Sequence, residues 1–186
     1  MLHLALLPLL TGKTRSCAYM FTNCVADREN FFDMLSARIP VNAIGECRGS
    51  LAKDSPSWQP KRNKGQAHYL DLAVEAFQPY RFVIAFESFQ VAGYITEKLI
   101  NPMFANAIPV YRDGGTAREY FNPKSFVDCG TYATLEDCAD AVAVLHANRT
   151  AYIEMLREPW IAPDRLEALF SSHPDVPNDA LVRSVA

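Results

Sequence analysis

Phe82-Val83-Ile84-Ala85-Phe86 is a run of five apolar residues with no polar alternation. Successive side chains of a strand point to opposite faces, so an unbroken apolar run reads as a strand buried on both sides. Such a strand requires a sheet covered by helices above and below, which constrains the chain to an α/β fold. The rest of the sequence agrees. Short apolar runs at 17–22, 41–44, 108–111 and 126–128 are predicted as further strands. Helices are predicted over 27–38, with Phe31, Phe32, Leu35 and Ile39 on one face, over 96–105, and over 134–147 behind the capping residue Thr134. Two more helical stretches, 151–156 and 164–170, lead into a polar tail. The expected architecture is a single Rossmann-like domain spanning 1–186, a parallel sheet flanked by helices, with 160–186 as its C-terminal helix and tail. Residues 45–66, broken by Pro56, Pro60 and Gly65, make too long a connection for a compact domain unless the loop is functional or mobile.

Composition excludes several function classes. With a net charge of −3 over 186 residues, nothing favours a nucleic-acid partner. The one basic cluster, Lys61-Arg62-Asn63-Lys64, reads as the solvated face of the long loop. The apolar start, Met1 to Leu10, is too short to cross a bilayer and lacks the preceding basic residues of a signal peptide. Cys17, Cys24, Cys47, Cys129 and Cys138 are odd in number, widely spaced and without a C-x-x-C pair. Buried free thiols are therefore expected rather than a zinc site or a disulfide framework. The four histidines are equally scattered, and no metal is expected.

Two attractive motifs fail. Thr11-Gly12-Lys13-Thr14 suggests a phosphate-binding loop, but Leu7 stands where that loop's first glycine belongs. No G-x-G-x-x-G follows any predicted strand, which argues against a dinucleotide oxidoreductase. Asn148-Arg149-Thr150 is a formal glycosylation acceptor of a kind that arises often by chance.

The informative stretch runs from Phe86 to Lys98. A buried strand ends, a loop carrying Gly93 follows, and a helix begins near Thr96. In an open α/β sheet ligands bind beyond the carboxyl ends of the strands, and a helix start favours an anion. Thr96 can cap the helix, Lys98 brings a positive charge to its first turn, and Glu97 offers a carboxylate to hydroxyl groups. That combination suits a phosphate next to a ribose. The blander reading is a solvated first turn with a Glu–Lys pair, although a lysine there opposes the helix dipole.

Tyr94-Ile95-Thr96-Glu97-Lys98-Leu99, preceded by Phe86-Glu87 and followed by Ile108-Pro109-Val110-Tyr111, resembles the signature of the α-1,3/4-fucosyltransferases. The likeness extends to Asn122-Pro123-Lys124-Ser125-Phe126-Val127, to Ala151-Tyr152-Ile153, and upstream to Thr22-Asn23 and Arg28-Glu29-Asn30-Phe31-Phe32, covering roughly residues 15 to 160. The resemblance implies the donor-binding, C-terminal half of an inverting, two-domain GT-B glycosyltransferase that uses GDP-fucose and an acceptor glycan, with no metal and no prosthetic group. It implies that Arg28 and Lys98 hold the diphosphate, that Glu97 binds the ribose hydroxyls, and that Tyr94 lies beside the phosphate or fucose. Glu87 and Ser88 complete the implied donor site. Where the family usually has Asn after Phe-Glu, this chain has Ser88, whose shorter reach implies a weaker or water-mediated contact.

An inverting transfer also needs a general base, which the resemblance places in an N-terminal acceptor-binding domain; residues 1 to 14 do not supply one. The catalytic base is thus expected on other sequence or another chain, and a non-catalytic GDP-fucose-binding module or a degenerate remnant stands as the alternative. The resemblance implies the Golgi for an animal or plant protein and the cytoplasm or inner membrane face for a bacterial one; the lack of a visible anchor leans toward the cytoplasm.

Overall fold

The computed structural model describes residues 12–48, 69–161 and 165. Five strands form one fully parallel sheet: β1 (Arg15–Tyr19), β2 (Val41–Ala43), β3 (Tyr80–Phe86), β4 (Ile108–Arg112) and β5 (Val127–Asp128). Their spatial order is β2-β1-β3-β4-β5. β3 lies at the centre, with Cys17 opposite Phe82 on one side and Ile84 opposite Val110 on the other. The helices are α1 (Ala26–Ser36), α2 (Tyr69–Phe77), α3 (Glu97–Phe104), α4 (Ala117–Tyr120), α5 (Leu135–Ala147) and α6 (Arg149–Arg157).

The apolar run in β3 does what its pattern requires. Phe82, Ile84 and Phe86 point into a core shared with Phe31 and Leu35 of α1, Val142 of α5 and Tyr152 of α6. Val83 points the other way, toward Ala73 and Phe77 of α2, and Ala85 toward Leu99 and Met103 of α3. Every residue from Phe82 to Phe86 is buried. A three-layer α/β sandwich follows directly from this two-sided burial.

Three local features differ from the sequence reading. β1 ends at Tyr19 rather than at Thr22, because the chain beyond it changes partner. The Phe21 carbonyl accepts from the Glu46 and Cys47 amides at 3.0 Å in the loop after β2. That loop lies so close that a Cβ at Gly45 would stand 2.6 Å from the Phe21 backbone. Helix α2 occupies a stretch to which the sequence reading assigns no element. The expectation of free thiols is corrected for four of the five cysteines. Cys24 is bonded to Cys47 and Cys129 to Cys138, while Cys17 is free and buried. Cys24 and Cys47 are 23 residues apart yet their Cα atoms are 5.3 Å apart, because parallel neighbours bring the loops after β1 and β2 together; Cys129, just after β5, meets Cys138 in the helix that follows. The apolar start, most of the loop at 45–66, the basic cluster at 61–64 and the stretch 164–170 apart from residue 165 lie outside the described residues.

Candidate functional site

After β1 the chain turns to one face of the sheet to form α1, and after β3 it turns to the opposite face to form α3. The two adjacent strands therefore part company at their carboxyl ends. That divergence is the topological switch point where open α/β sheets bind ligands.

Arg28 comes to this crevice from α1. It stands three residues before Phe31 and seven before Leu35, on the buried face of the helix, and is only 1% exposed. Its guanidinium lies 4.1 Å over the Phe21 ring. Nε donates to the Phe86 carbonyl at 3.0 Å, Nη1 to the Asn23 carbonyl at 3.2 Å and Nη2 to the Ser88 hydroxyl at 2.8 Å. All three acceptors are neutral. Burial lowers its pKa from the ordinary guanidinium range, opposed by Tyr19, Glu87, Tyr94 and Glu97, which all lie within electrostatic reach.

Glu87 points away from Arg28, toward the start of α3. Its side chain has no exposure. The carboxylate accepts from the Thr96 amide at 2.9 Å, from the Thr96 hydroxyl at 2.7 Å and from the Tyr111 hydroxyl at 3.0 Å. Burial, and after it the Glu87 carboxylate, pushes the Tyr111 pKa well above the usual phenol range. Thr96 is the N-cap of α3, as its sequence position suggests. Lys98 in the first turn donates from Nζ to Thr96 Oγ1 at 3.0 Å and to Glu97 Oε1 at 3.3 Å, and lies 3.4 Å from Glu87 Oε2. A buried carboxylate thus sits directly beneath a half-buried ammonium.

The loop between them carries Tyr94 on the outer lip, 37% exposed and packed edge-to-face against Phe89 at 5.9 Å between centroids. This loop rests on the one after β4. The Gly93 amide donates to Thr116 Oγ1 at 2.7 Å. Gly93 has φ +82, which suits glycine. Asp113 in turn accepts from the amides of Gly115, Thr116 and Ala117, fixing the supporting loop.

Of the sequence-derived site residues, Arg28 and Ser88 are bonded to each other, and Glu87, Glu97 and Lys98 are joined at the α3 start. Tyr94 flanks them. The sequence reading missed Phe21, the ring beneath Arg28, and Thr116, the support of the Tyr94 loop. Neither announces itself, since one looks like core and the other like an ordinary loop residue. Among the described residues Cys24, Glu29 and Cys47 bring potential metal-ligand atoms within 4.8 Å, but both sulfurs are consumed by the disulfide. These residues bring together a buried guanidinium with neutral partners, an ammonium shared by two carboxylates at a helix start, and an aromatic side chain beside them, side-chain chemistry suited to an anion with an attached polar group.

Residues 10–171 match the family model described as glycosyltransferase family 10 (fucosyltransferase), C-terminal part. A putative fucosyltransferase R654 of Acanthamoeba polyphaga mimivirus is 34% identical over 154 residues, which is 82% of this chain and 25% of that protein. The α-(1,3)-fucosyltransferase FucT of Helicobacter pylori is 32% identical over 131 residues, 70% of this chain and 24% of that one. The chain thus spans about a quarter of the length of these two curated relatives. Among solved structures, an α1,3-fucosyltransferase with GDP-fucose superposes with a TM-score of 0.69 at 26% identity, covering 89% of this chain and 49% of that one. An α1,3-fucosyltransferase structure described without a ligand gives 0.67 at 30% identity, covering 79% of this chain and 38% of that one.

Proposed function

The chain belongs to glycosyltransferase family 10, the fucosyltransferases, and from that premise we propose that it is the donor-binding domain of an enzyme that transfers fucose from GDP-fucose to an acceptor glycan hydroxyl, with inversion and in α-1,3 or α-1,4 linkage. The observation that carries the reading is Arg28. It is a guanidinium 1% exposed that, among the described residues, bonds only neutral acceptors. Buried charge is ordinarily paired, and an anionic ligand is the natural partner for this one. Lys98 stands in the first turn of α3, beyond the same carboxyl ends of the strands, and on this reading a diphosphate would lie between the two cations. Glu97 beside Lys98 would accept from the ribose hydroxyls, and Tyr94 would flank the phosphate or the sugar.

The role in transfer follows from charge. The acceptor oxygen loses its proton to a base and attacks the anomeric carbon from the side opposite the diphosphate. The bond from that carbon to the β-phosphate oxygen breaks, and GDP departs with added negative charge. Arg28 and Lys98 neutralise that charge as it develops, which lowers the barrier without metal chemistry being required of these residues. We assign the base and the acceptor contacts to a second domain or chain, consistent with the quarter-length overlap with the curated relatives. Among the described residues no helix is long and apolar enough to cross a membrane. The two disulfides favour an oxidising compartment over the cytoplasm, where thiols are kept reduced.

Calorimetric titration with GDP and GDP-fucose tests the reading. Saturable binding of both is expected, and absence of heat at high ligand concentration sinks it. Adding an acceptor disaccharide then separates a domain that only holds the donor from one that also releases GDP by transfer.

A further inference from the structure

The sequence reading counts Ser88 among the donor contacts. We infer instead that Ser88 is a positioning residue, acting on the donor through Arg28 by fixing which edge of the guanidinium faces the diphosphate. The inference rests on the diphosphate reading above and deepens it.

A guanidinium carries five N–H groups in a rigid plane. Nε and Nη2 share one edge of that plane, and Nη1 and Nη2 share the other. The first edge is filled from a single short stretch of chain, by the Phe86 carbonyl and the Ser88 hydroxyl on either side of Glu87. Asn23 takes one of the Nη1 hydrogens. Among the described residues three of the five are thereby occupied, and the two that remain lie one on Nη1 and one on Nη2. With Asn23 on the Nη1 hydrogen nearer Cδ, that pair is the fork that chelates phosphate oxygens.

The three anchors are not equivalent. Phe86 is the last residue of β3, so its carbonyl is fixed by the sheet. Asn23 lies in the loop tied to its neighbour by the Cys24–Cys47 disulfide. The Phe21 ring beneath the plane restrains tilt but not rotation within the plane. Among the described residues Ser88 alone holds Nη2, the nitrogen common to both edges. Without its hydroxyl the plane can turn about the Nε anchor, and the free fork loses its aim. Arginine has several rotatable bonds, so a lost anchor becomes disorder of the charged end. A change at position 88 would thus reset donor affinity through the cation behind it.

The test uses thermal melts and a series of three probes, guanosine, GDP and GDP-fucose, titrated into the full chain. Ser88→Ala is expected to weaken GDP and GDP-fucose equally, by about tenfold, the loss for one hydrogen bond to a charged group. Guanosine, which has no phosphate, binds as before. Ser88→Thr, which keeps the hydroxyl, restores GDP affinity. In an Arg28→Ala background Ser88→Ala has less than about a twofold further effect, because the two residues act as one unit. Losses that simply add in the double variant mean a direct contact of Ser88 with phosphate and overturn the inference. Weakening of GDP-fucose alone means a contact with the sugar and overturns it as well. An equal loss for guanosine, or no change at all, does the same. A parent chain that binds no GDP sinks the site reading and this inference together, whereas binding with additive losses sinks the inference alone.

Discussion

Arg28 and Lys98 belong to helices on opposite faces of the sheet, and each sits in a different kind of environment. Arg28 is buried among neutral acceptors, so its charge is strengthened by low polarity around it. Lys98 is half-buried and shared between Thr96, Glu97 and Glu87. Arg28→Ala and Lys98→Ala are each expected to weaken GDP binding by about 1–3 kcal/mol, the range for charge-assisted hydrogen bonds. Unchanged affinity by calorimetry in either variant removes that residue from the site. His146, remote from the crevice, governs a pH effect. Burial, with the Arg81 guanidinium at 3.0 Å as the lesser cause, lowers its pKa below the usual imidazole value. As the pH falls below about 6.5, the unfolded chain takes up a proton at this position that the folded chain refuses, so stability falls. His146→Gln is expected to flatten the decline of the melting midpoint between pH 6.5 and 5; an unchanged slope refutes the assignment. The candidacy of Lys98 was legible in the sequence from its place in a helix start. That of Arg28 was legible only by resemblance, although its spacing from Phe31 and Leu35 already placed it on the buried face.

Among the elements, α5 was readable to the residue. Thr134 and Asp137 form a reciprocal capping box, with Thr134 Oγ1 accepting from the Asp137 amide at 3.1 Å and the Thr134 amide donating to Asp137 Oδ2 at 3.0 Å. Thr134→Ala is expected to cost about 1 kcal/mol in a denaturant melt. Strand ends were read less well, because hydrogen-bond partners and not apolarity decide them. The Phe21 carbonyl belongs to the loop after β2, a fact no local pattern contains. Helix α2 escaped for a related reason, since it follows a long polar segment and its covering role shows only once Ala73 and Phe77 are set against Val83. The two loops at the crevice also act as a unit. A Cβ on Gly114 would stand 2.4 Å from the Val91 carbonyl carbon, so Gly114→Ala must push the Tyr94 loop aside. The expected outcome is a loss of about 1–3 kcal/mol in stability, as for overpacked interiors, together with weaker GDP binding. Wild-type stability in this variant would show that the loops do not lean on each other.

At the scale of the whole molecule the disulfides add covalent ties to the layered core. Cys24–Cys47 spans 23 residues and fastens the loop that bears Asn23 and Phe21 to the loop after β2. Cys24→Ser is expected to lower stability by about 3 kcal/mol, measured against the oxidised parent in urea; an equal loss in the reduced parent confirms the bond as the cause. The sequence by itself determined the layered α/β architecture, because five unbroken apolar residues have no other place to go than the middle of a covered sheet. It also determined where α3 begins, since capping is a local property. Only the tertiary structure decided that Arg28 meets Ser88, that Glu87 is sealed beneath Lys98, and that distant cysteines pair. The first of these joins residues far apart in the chain across the divergence of β1 and β3, and all of them depend on how the loops and layers close, which local spacing does not encode.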